Sequence, residues 1–474
     1  MATLFYIMYA VSTLWAIFSI ILYGSRPARS IGWLLIVIIF PIIGVVFYVL
    51  FGINRKKFKF FTLNFNAKRK LYDLRHKSDN REKFTYKYDV EKFKRIGKLL
   101  QKSSGFPSVQ GNKLELLKDG KTTFNEIFEA FSKAKKFIHI QYYILEEGEL
   151  LDKLISLFTE KIKNGIEIRI LYDAIGSSGW KNKAVKKLEN LGAKTYPILP
   201  LKLGSILSTL NYRNHRKIAI IDGVMAFAGG VNVSDKYIKS KSDLGVWDDL
   251  HVKIEGPAVD HLHRIFIKDY YFASNEVLLT NQFYLPFQKE KGNSIVQIVA
   301  GGPDLKYLSI LHQYLTMINS AEDSIYIENP YFIPNKALLE ALKMAVLSGI
   351  DVKIMVPKNN DSKIAKHSMF ANFEDLLQAG VKICVLKDTF SHSKLIIIDE
   401  EIASIGSGNF DYRSFEYNYE VNILINDTII AKNLSNDFKN SLENCEILDY
   451  ESFKNRPLST KLLEGCAKIF SPLL

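Results

Sequence analysis

The strand-like stretch NHRKIAIID, Asn214 to Asp222, returns later in the chain as SHSKLIIID, Ser391 to Asp399. Each copy sets a histidine, a lysine two positions on, and an aspartate beyond an apolar run. The match extends further, because Gly229 and Asn232 follow His215 at the offsets at which Gly406 and Asn409 follow His392. The repeated pattern is H-x-K-x4-D-x6-G-x2-N. One short motif arises by chance; two extended copies do not. A chain that carries such a duplication is constrained to fold as two copies of one unit.

The flanking segments agree. KFIHIQYYIL (Lys136 to Leu145) resembles DSIYIENPYF (Asp323 to Phe332), and NGIEIRILYD (Asn164 to Asp173) resembles SGIDVKIMVP (Ser348 to Pro357). Between them LLDKLISLFTEKIK and ALLEALKMAVLS carry apolar residues at helical intervals, so each half reads strand, helix, strand. The apolar runs IAII and LIII suit a sheet covered on both faces. The expected fold is α/β, built from two pseudo-symmetric halves that face each other. The weakly periodic tract from Ala273 to Ser294 is the natural connection, giving halves at 106–280 and 281–474.

The N-terminus differs in kind. Thr3 to Tyr23 and Ile31 to Phe51 are uncharged apolar segments of 21 residues each, long enough to cross a bilayer as helices. They predict a transmembrane hairpin over residues 1–53; no basic residue precedes the first segment, which argues against a cleaved signal. Arg26 and Arg29 stand in the turn, whereas Arg55, Lys56, Lys57 and Lys59 follow the second segment, so the termini are expected on the cytoplasmic side. From Asn54 to Lys102 there are 17 Lys and Arg against 5 Asp and Glu, a net +12 beside +13 for the whole chain. This linker, 54–105, is expected either to meet an anionic membrane surface or to be a solvated connector. The apolar run PILPLKLGSILSTL, Pro197 to Leu210, reads equally as lipid contact or as core. The three cysteines, widely spaced, outline neither a disulfide framework nor a zinc site.

On a strand, residues two apart face the same side, so His215 projects with Lys217 and His392 with Lys394. Lysine is not a metal ligand, and no second His or carboxylate stands at ligand spacing, which argues against a metal. A His–Lys pair suits a phosphate: the cation neutralises an oxygen while the imidazole attacks phosphorus or carries a proton. Two copies facing each other supply the nucleophile and the general acid–base of a phosphodiester exchange. Asn232 and Asn409 are candidate neutral donors to the phosphate. Asp222 and Asp399 complete the two motif sets, but their opposite strand parity reads as anchoring of turns or backbone. Asp249 and Glu420 are each expected either at the surface or as acceptor for the second ring N–H of the histidine in its own half.

These residues, with SRPARSIGWLL, GGVNVSDKY, IENPYFIP, GSGNFDYRSF and the closing RPLSTKLLEGCAKIFSPLL, resemble the phospholipase D superfamily and, within it, the bacterial cardiolipin synthases. The resemblance implies phospholipase D-like halves, no cofactor, no nucleic-acid partner, and a place in the bacterial inner membrane with both segments spanning and the catalytic part cytoplasmic. It further implies a phosphatidylglycerol substrate held near anionic lipid. By that resemblance one phosphatidylglycerol would give its phosphatidyl group to His215 and release glycerol, and a second would accept it with His392 as acid–base; the sequence alone permits the two histidines to exchange roles. Lys217, Lys394, Asn232 and Asn409 would hold phosphate. Trp247-Asp248-Asp249 departs from the family's Trp-Arg-Asp, which leaves headgroup preference open. A membrane-anchored phosphodiesterase using water or another alcohol is the alternative, and a non-catalytic lipid-binding scaffold a more distant one.

Overall fold

The computed structural model describes residues 2–24, 27–52, 85–87, 91–177, 183–200, 211–239, 244–278 and 289–474. Most of the basic linker, most of PILPLKLGSILSTL and much of the tract between the halves lie outside them, so the expectations for those segments do too. The end of the linker does not: Glu91–Ser104 is a helix whose Phe93, Ile96 and Leu100 are buried in a core with Tyr314 and Ile325, which corrects the reading of that part as solvated connector or membrane contact. The chain forms two compact units, residues 1–72 with 199–213 and residues 73–198 with 214–474.

In the first unit the helix Ala2–Tyr23 is unbroken and, at about 1.5 Å per residue, matches a hydrocarbon core of roughly 30 Å. Among the described residues it is the one helix long and apolar enough to span. The second segment, expected as one span, is interrupted. It runs as Pro27–Ile39, then Pro41–Phe47, then a π turn over Tyr48–Gly52. Pro41 is the cause: its ring excludes the residue before it from helical geometry, and Phe40 sits at φ −125°, ψ 71°. The two segments still pair as a hairpin. Ser19 and Tyr48 hydroxyls lie 2.6 Å apart, and Ala16, Ile20 and Val37 are buried around them. Val11, Phe18, Ile21, Ile38 and Ile39 face outward, as lipid contact requires.

In the second unit, strands follow in chain order: β1 (Val109–Leu117), β2 (Phe137–Tyr142), β3 (Glu167–Asp173), β4 (Lys194–Ile198), β5 (Ile218–Ile221), β6 (Met225–Gly229), β7 (Val246–Asp248) and β8 (His251–Glu255) in one half. The other half supplies β9 (Ser294–Gly301), β10 (Ser324–Glu328), β11 (Asp351–Pro357), β12 (Lys382–Leu386), β13 (Thr389–Ser391), β14 (Leu395–Ile398), β15 (Ile402–Gly406), β16 (Glu420–Asn426) and β17 (Cys445–Ile447). Among the described residues fifteen of these make one sheet, ordered β17-β12-β11-β10-β14-β15-β16-β9-β1-β8-β6-β5-β2-β3-β4. Apart from the edge strand β17, the order reads the same outward from the β9–β1 pair. The duplication is thus a pseudo-dyad in space.

The strands that begin just after the motif histidines, β5 and β14, are buried along their whole length. Ile218 and Ile220 share a core with the helices Ala258–Ser274 and Thr428–Ser441, while Ala219 and Ile221 pack into a second core with Phe124, Leu154 and Phe158. Coverage of both faces explains why IAII and LIII show no polar alternation. His139, His251 and His263 are buried within this unit as packing residues. The two-stranded sheet of β7 and β13 crosses between the halves, pairing Trp247 with Phe390 and Asp248 with Ser391.

Candidate active site

β7 ends at Asp248 and β13 ends at Ser391, so this small sheet delivers Asp249 of one half to His392 of the other. The backbone N–H of His392 donates to the Asp248 carbonyl at 2.7 Å, and Nδ1 of His392 lies 2.7 Å from Oδ2 of Asp249. The arrangement is repeated on the other side of the dyad. Asn214 and Tyr419 form a parallel bridge, the His215 N–H donates to the Tyr419 carbonyl at 2.9 Å, and Nδ1 of His215 lies 3.0 Å from Oε2 of Glu420. Each imidazole is therefore fixed by the acid of the opposite half. The expectation that each acid serves the histidine of its own half is corrected: the acids follow their own histidines in sequence, but the halves face each other and exchange partners.

The tautomers follow from chemistry. His215 Nδ1 also lies 3.1 Å from the Ser407 carbonyl, and both that oxygen and Glu420 only accept, so Nδ1 carries the hydrogen and Nε2 keeps its lone pair. At His392 the same ring nitrogen faces the Asp249 carboxylate at 2.7 Å but also has the Lys394 Nζ at 2.7 Å, so acceptor and donor compete for it. Burial holds both imidazoles below the ordinary histidine range. His215 is partly supported by Glu420, whereas burial and the Lys394 cation push His392 down to about 4.

The lysines come with their histidines. Lys217 Nζ donates to the His215 carbonyl at 2.6 Å, and Lys394 Nζ donates to the His392 carbonyl and lies 2.7 Å from its Nδ1. Burial lowers Lys217 to about 7, with repulsion from Lys394 added, and burial lowers Lys394 to about 8. Two buried lysines whose charged forms burial disfavours suit an anion, because a phosphodiester between them would stabilise both ammonium groups. Burial raises Asp249 and Glu420, but the neighbouring lysines and histidines outweigh it, so both acids stay below the usual carboxylate range.

Asn232 accepts from the Ile144 N–H at 3.2 Å and reaches the Tyr237 hydroxyl at 3.5 Å. The Asn409 N–H donates to Ser414 at 3.0 Å, while its buried side-chain oxygen has no partner. Asp222 and Asp399, grouped by sequence with the reacting residues, stand at the far end of β5 and β14 from their histidines. Asp222 accepts the backbone N–H groups of Lys135, Lys136 and Phe137, and Asp399 those of Glu322, Asp323 and Ser324. Both have positive φ, 52° and 53°. They pin the starts of β2 and β10 and leave the reacting groups to the histidines and lysines. Among the described residues no group of three or more His, Cys, Asp or Glu side chains is placed to hold a metal ion.

Other residues of the site were not singled out by sequence. Glu420 also receives the Ser407 hydroxyl at 2.5 Å, the Ser414 hydroxyl at 3.0 Å and the Asn418 amide at 3.2 Å. Tyr237 reaches both Asp249, at 3.4 Å, and His392 Nδ1, at 3.3 Å. The repeat held the signal: between its glycine and asparagine it aligns Gly230 with Ser407 and, extended past the asparagine, Tyr237 with Ser414.

Two copies of one α/β unit that share a site of paired histidines and lysines define a duplicated phospholipase D-like protein. The sequence matches the family described as "Cardiolipin synthase, PLD-like domain" over residues 127–270 and 314–442, and "Phospholipase_D-nuclease N-terminal" over 11–52. It is 38% identical over 469 residues to a cardiolipin synthase of Geobacillus sp. (strain WCH70), across 99% of this chain and 93% of that one. It is 36% identical to the major cardiolipin synthase of Bacillus subtilis (strain 168), across 96% of each chain. A phosphatidylserine synthase from Haemophilus influenzae Rd KW20 shares the fold, with a TM-score of 0.59, 14% identity, and coverage of 81% of this chain and 100% of that one. The chain belongs to the cardiolipin synthase family.

Proposed function

We infer that this protein is a phosphatidyltransferase that makes cardiolipin from two molecules of phosphatidylglycerol. The observation that carries the reading is the pair of buried His–Lys strands at one site, each imidazole oriented through Nδ1 by a carboxylate of the opposite half. Nε2 of His215 attacks the phosphorus of the first lipid while Lys217 and Lys394 hold the non-bridging oxygens. The bond to the headgroup glycerol breaks, and His392 gives that oxygen a proton. A phosphatidyl group is left on His215. His392 then takes the proton from a glycerol hydroxyl of the second lipid, which attacks phosphorus and breaks the P–N bond. One phosphodiester is exchanged for another, so the chain's own residues and no external energy source are required.

His392 is neutral in the empty site, as a base must be. A bound phosphate offsets the Lys394 charge that helps to depress it, and so favours its protonation when an acid is needed. On this reading the protein works in a bacterial cytoplasmic membrane, with both N-terminal segments in the bilayer, the basic linker ahead of Glu91 on anionic lipid, and the halves 106–280 and 281–474 on the cytoplasmic side.

The test uses the purified full chain in mixed micelles with labelled phosphatidylglycerol and chelator. Cardiolipin plus glycerol is expected, reduced at least about 10³-fold in His215→Ala and in His392→Ala. A phosphatidyl ester of nitrophenol separates the two roles, because so good a leaving group needs no acid. His392→Ala then releases a burst of nitrophenol and retains the phosphatidyl group on the protein; His215→Ala does neither. The opposite pattern exchanges the roles, and phosphatidic acid without cardiolipin makes water the acceptor and overturns the synthase reading.

A further inference from the structure

The last helix, Leu458–Ile469, is turned inside out. Its carboxylate, Glu464, is buried and paired with Arg456 at 2.9 and 2.7 Å, whereas Leu458, Leu462, Leu463, Ile469, Phe470 and Leu473 are 40–75% exposed. These six residues lie on one broad side of the helix and the turn that follows it. A surface that met only water would not present such a contiguous apolar patch.

The patch is fastened beside the site at two points. At the chain end, the Arg413 N–H donates to the Leu474 carbonyl at 3.1 Å, and the neighbouring Ser414 bonds Glu420, the partner of His215. On its inner side the helix rests on Lys363–Phe370, where the Ser368 and Ser471 hydroxyls lie 2.6 Å apart. That supporting helix follows Asp361, which accepts from the Tyr331 hydroxyl at 2.6 Å, and Tyr331 stands edge-on to His392 at 6.1 Å. Lys461 lies on the helix itself and Lys363, exposed, on its support, while Lys468 donates to the Ala371 carbonyl at 3.2 Å and Lys366 is half-buried.

We propose that this face is a membrane-docking surface: the outward side of Leu458–Ile469 and the turn after it lie in the headgroup region of an anionic bilayer and hold the site at the lipid surface. The bilayer is the occupant because the chain carries a helix able to span one, because lysines on this helix and its support complement anionic headgroups, and because the adjoining site is read as taking phospholipid. The choice of occupant alone rests on that functional reading.

Cys466 is exposed on this helix, Cys384 is buried and Cys445 is partly buried, so the full chain with Cys445→Ser accepts an environment-sensitive fluorophore at Cys466. In nanodiscs of phosphatidylglycerol with one chain per disc, the label should shift to the blue and be quenched by doxyl-labelled lipid. Quenching should fall several-fold in Leu462→Glu/Ile469→Glu. A label that stays in water, or one that is shielded only when several chains share a disc, overturns the proposal; the latter makes a second copy the occupant. The double variant should also lose about tenfold or more activity on bilayer substrate while keeping turnover of monomeric short-chain phosphatidylglycerol. Equal loss on both substrates makes the helix merely structural. Absence of cardiolipin from the parent protein would strike the functional reading and leave the quenching result untouched.

Discussion

The two histidines occupy matched positions across the pseudo-dyad, yet their surroundings differ. Glu420, the partner of His215, is surrounded by neutral donors: two serine hydroxyls and an asparagine amide. Asp249, the partner of His392, has a tyrosine hydroxyl at 3.4 Å and the Lys394 ammonium at 3.9 Å. Lysine charge acts on both acids, but the groups in contact differ: dipoles crowd Glu420, while Asp249 has an ammonium within 4 Å. The backbone scaffold is common to both, namely a histidine N–H on the carbonyl just before the opposite acid. Duplication supplied the geometry, and divergence of a few side chains separated the electrostatics, which is what a reaction needing one nucleophile and one proton carrier requires.

The sharpest way to break this comparison is to neutralise each acid. Asp249→Asn removes the counter-charge shared by His392 and Lys394 and should lower turnover by about 10³-fold or more, as loss of an orienting carboxylate does elsewhere. Glu420→Gln keeps its serine and asparagine neighbours and should cost less, about 10²-fold. Steady-state kinetics on both variants decides it: equal losses would mean that the environments are equivalent.

A second test exchanges aligned positions. A Cβ on Gly230 would fall inside van der Waals contact with both Asp249 oxygens, so Gly230→Ser should displace that carboxylate and cost about 10²-fold in activity. The reverse change, Ser407→Gly, removes one hydrogen bond to Glu420, worth about 1 kcal/mol, and should lower activity only several-fold. Similar losses from both changes would erase the asymmetry.

The smallest effect concerns Asp248, which aligns with Tyr419 as the residue before the acid. Burial, with Glu328 and Asp249 nearby, raises Asp248 to about 8, so it is protonated in the folded protein at neutral pH and ionised in the unfolded chain. A raised carboxyl costs nothing below its unfolded value near 4, and the cost grows as pH rises toward 8. Asp248→Asn retains the oxygen that accepts the Asp249 N–H and should stabilise the protein by about 1–3 kcal/mol at pH 7. Denaturant titrations should show that gain vanishing near pH 4; a pH-independent gain would point to packing instead.

Much of this was legible in the chain. The repeat predicted two α/β halves, the unbroken apolar strands predicted a sheet covered on both faces, and the spacing of His and Lys singled out residues that the fold brings to one place. What sequence could not supply was partnership across the dyad. Parity along a strand reports which residues share a side, but Asp249 meets His392 only because β7 leaves its own half to pair with β13. Pro41 was visible as a residue, but proline is tolerated in membrane helices, and hydropathy counts apolar length and not the backbone angles before a proline. Tyr237, Ser407 and Ser414 sit in register in the repeat, but that register does not say that their hydroxyls meet an acid until the acid's position is known.

The cross-half exchange of acids also sets when the chemistry can begin. During synthesis the first half emerges with His215 and Lys217 in place but with no Glu420 to orient the ring, since that acid lies some two hundred residues further along. A lone first half therefore holds an imidazole whose orienting acid has yet to be made. The ring is fixed only when the second half closes on the first, so the site belongs to the whole chain and to neither half alone.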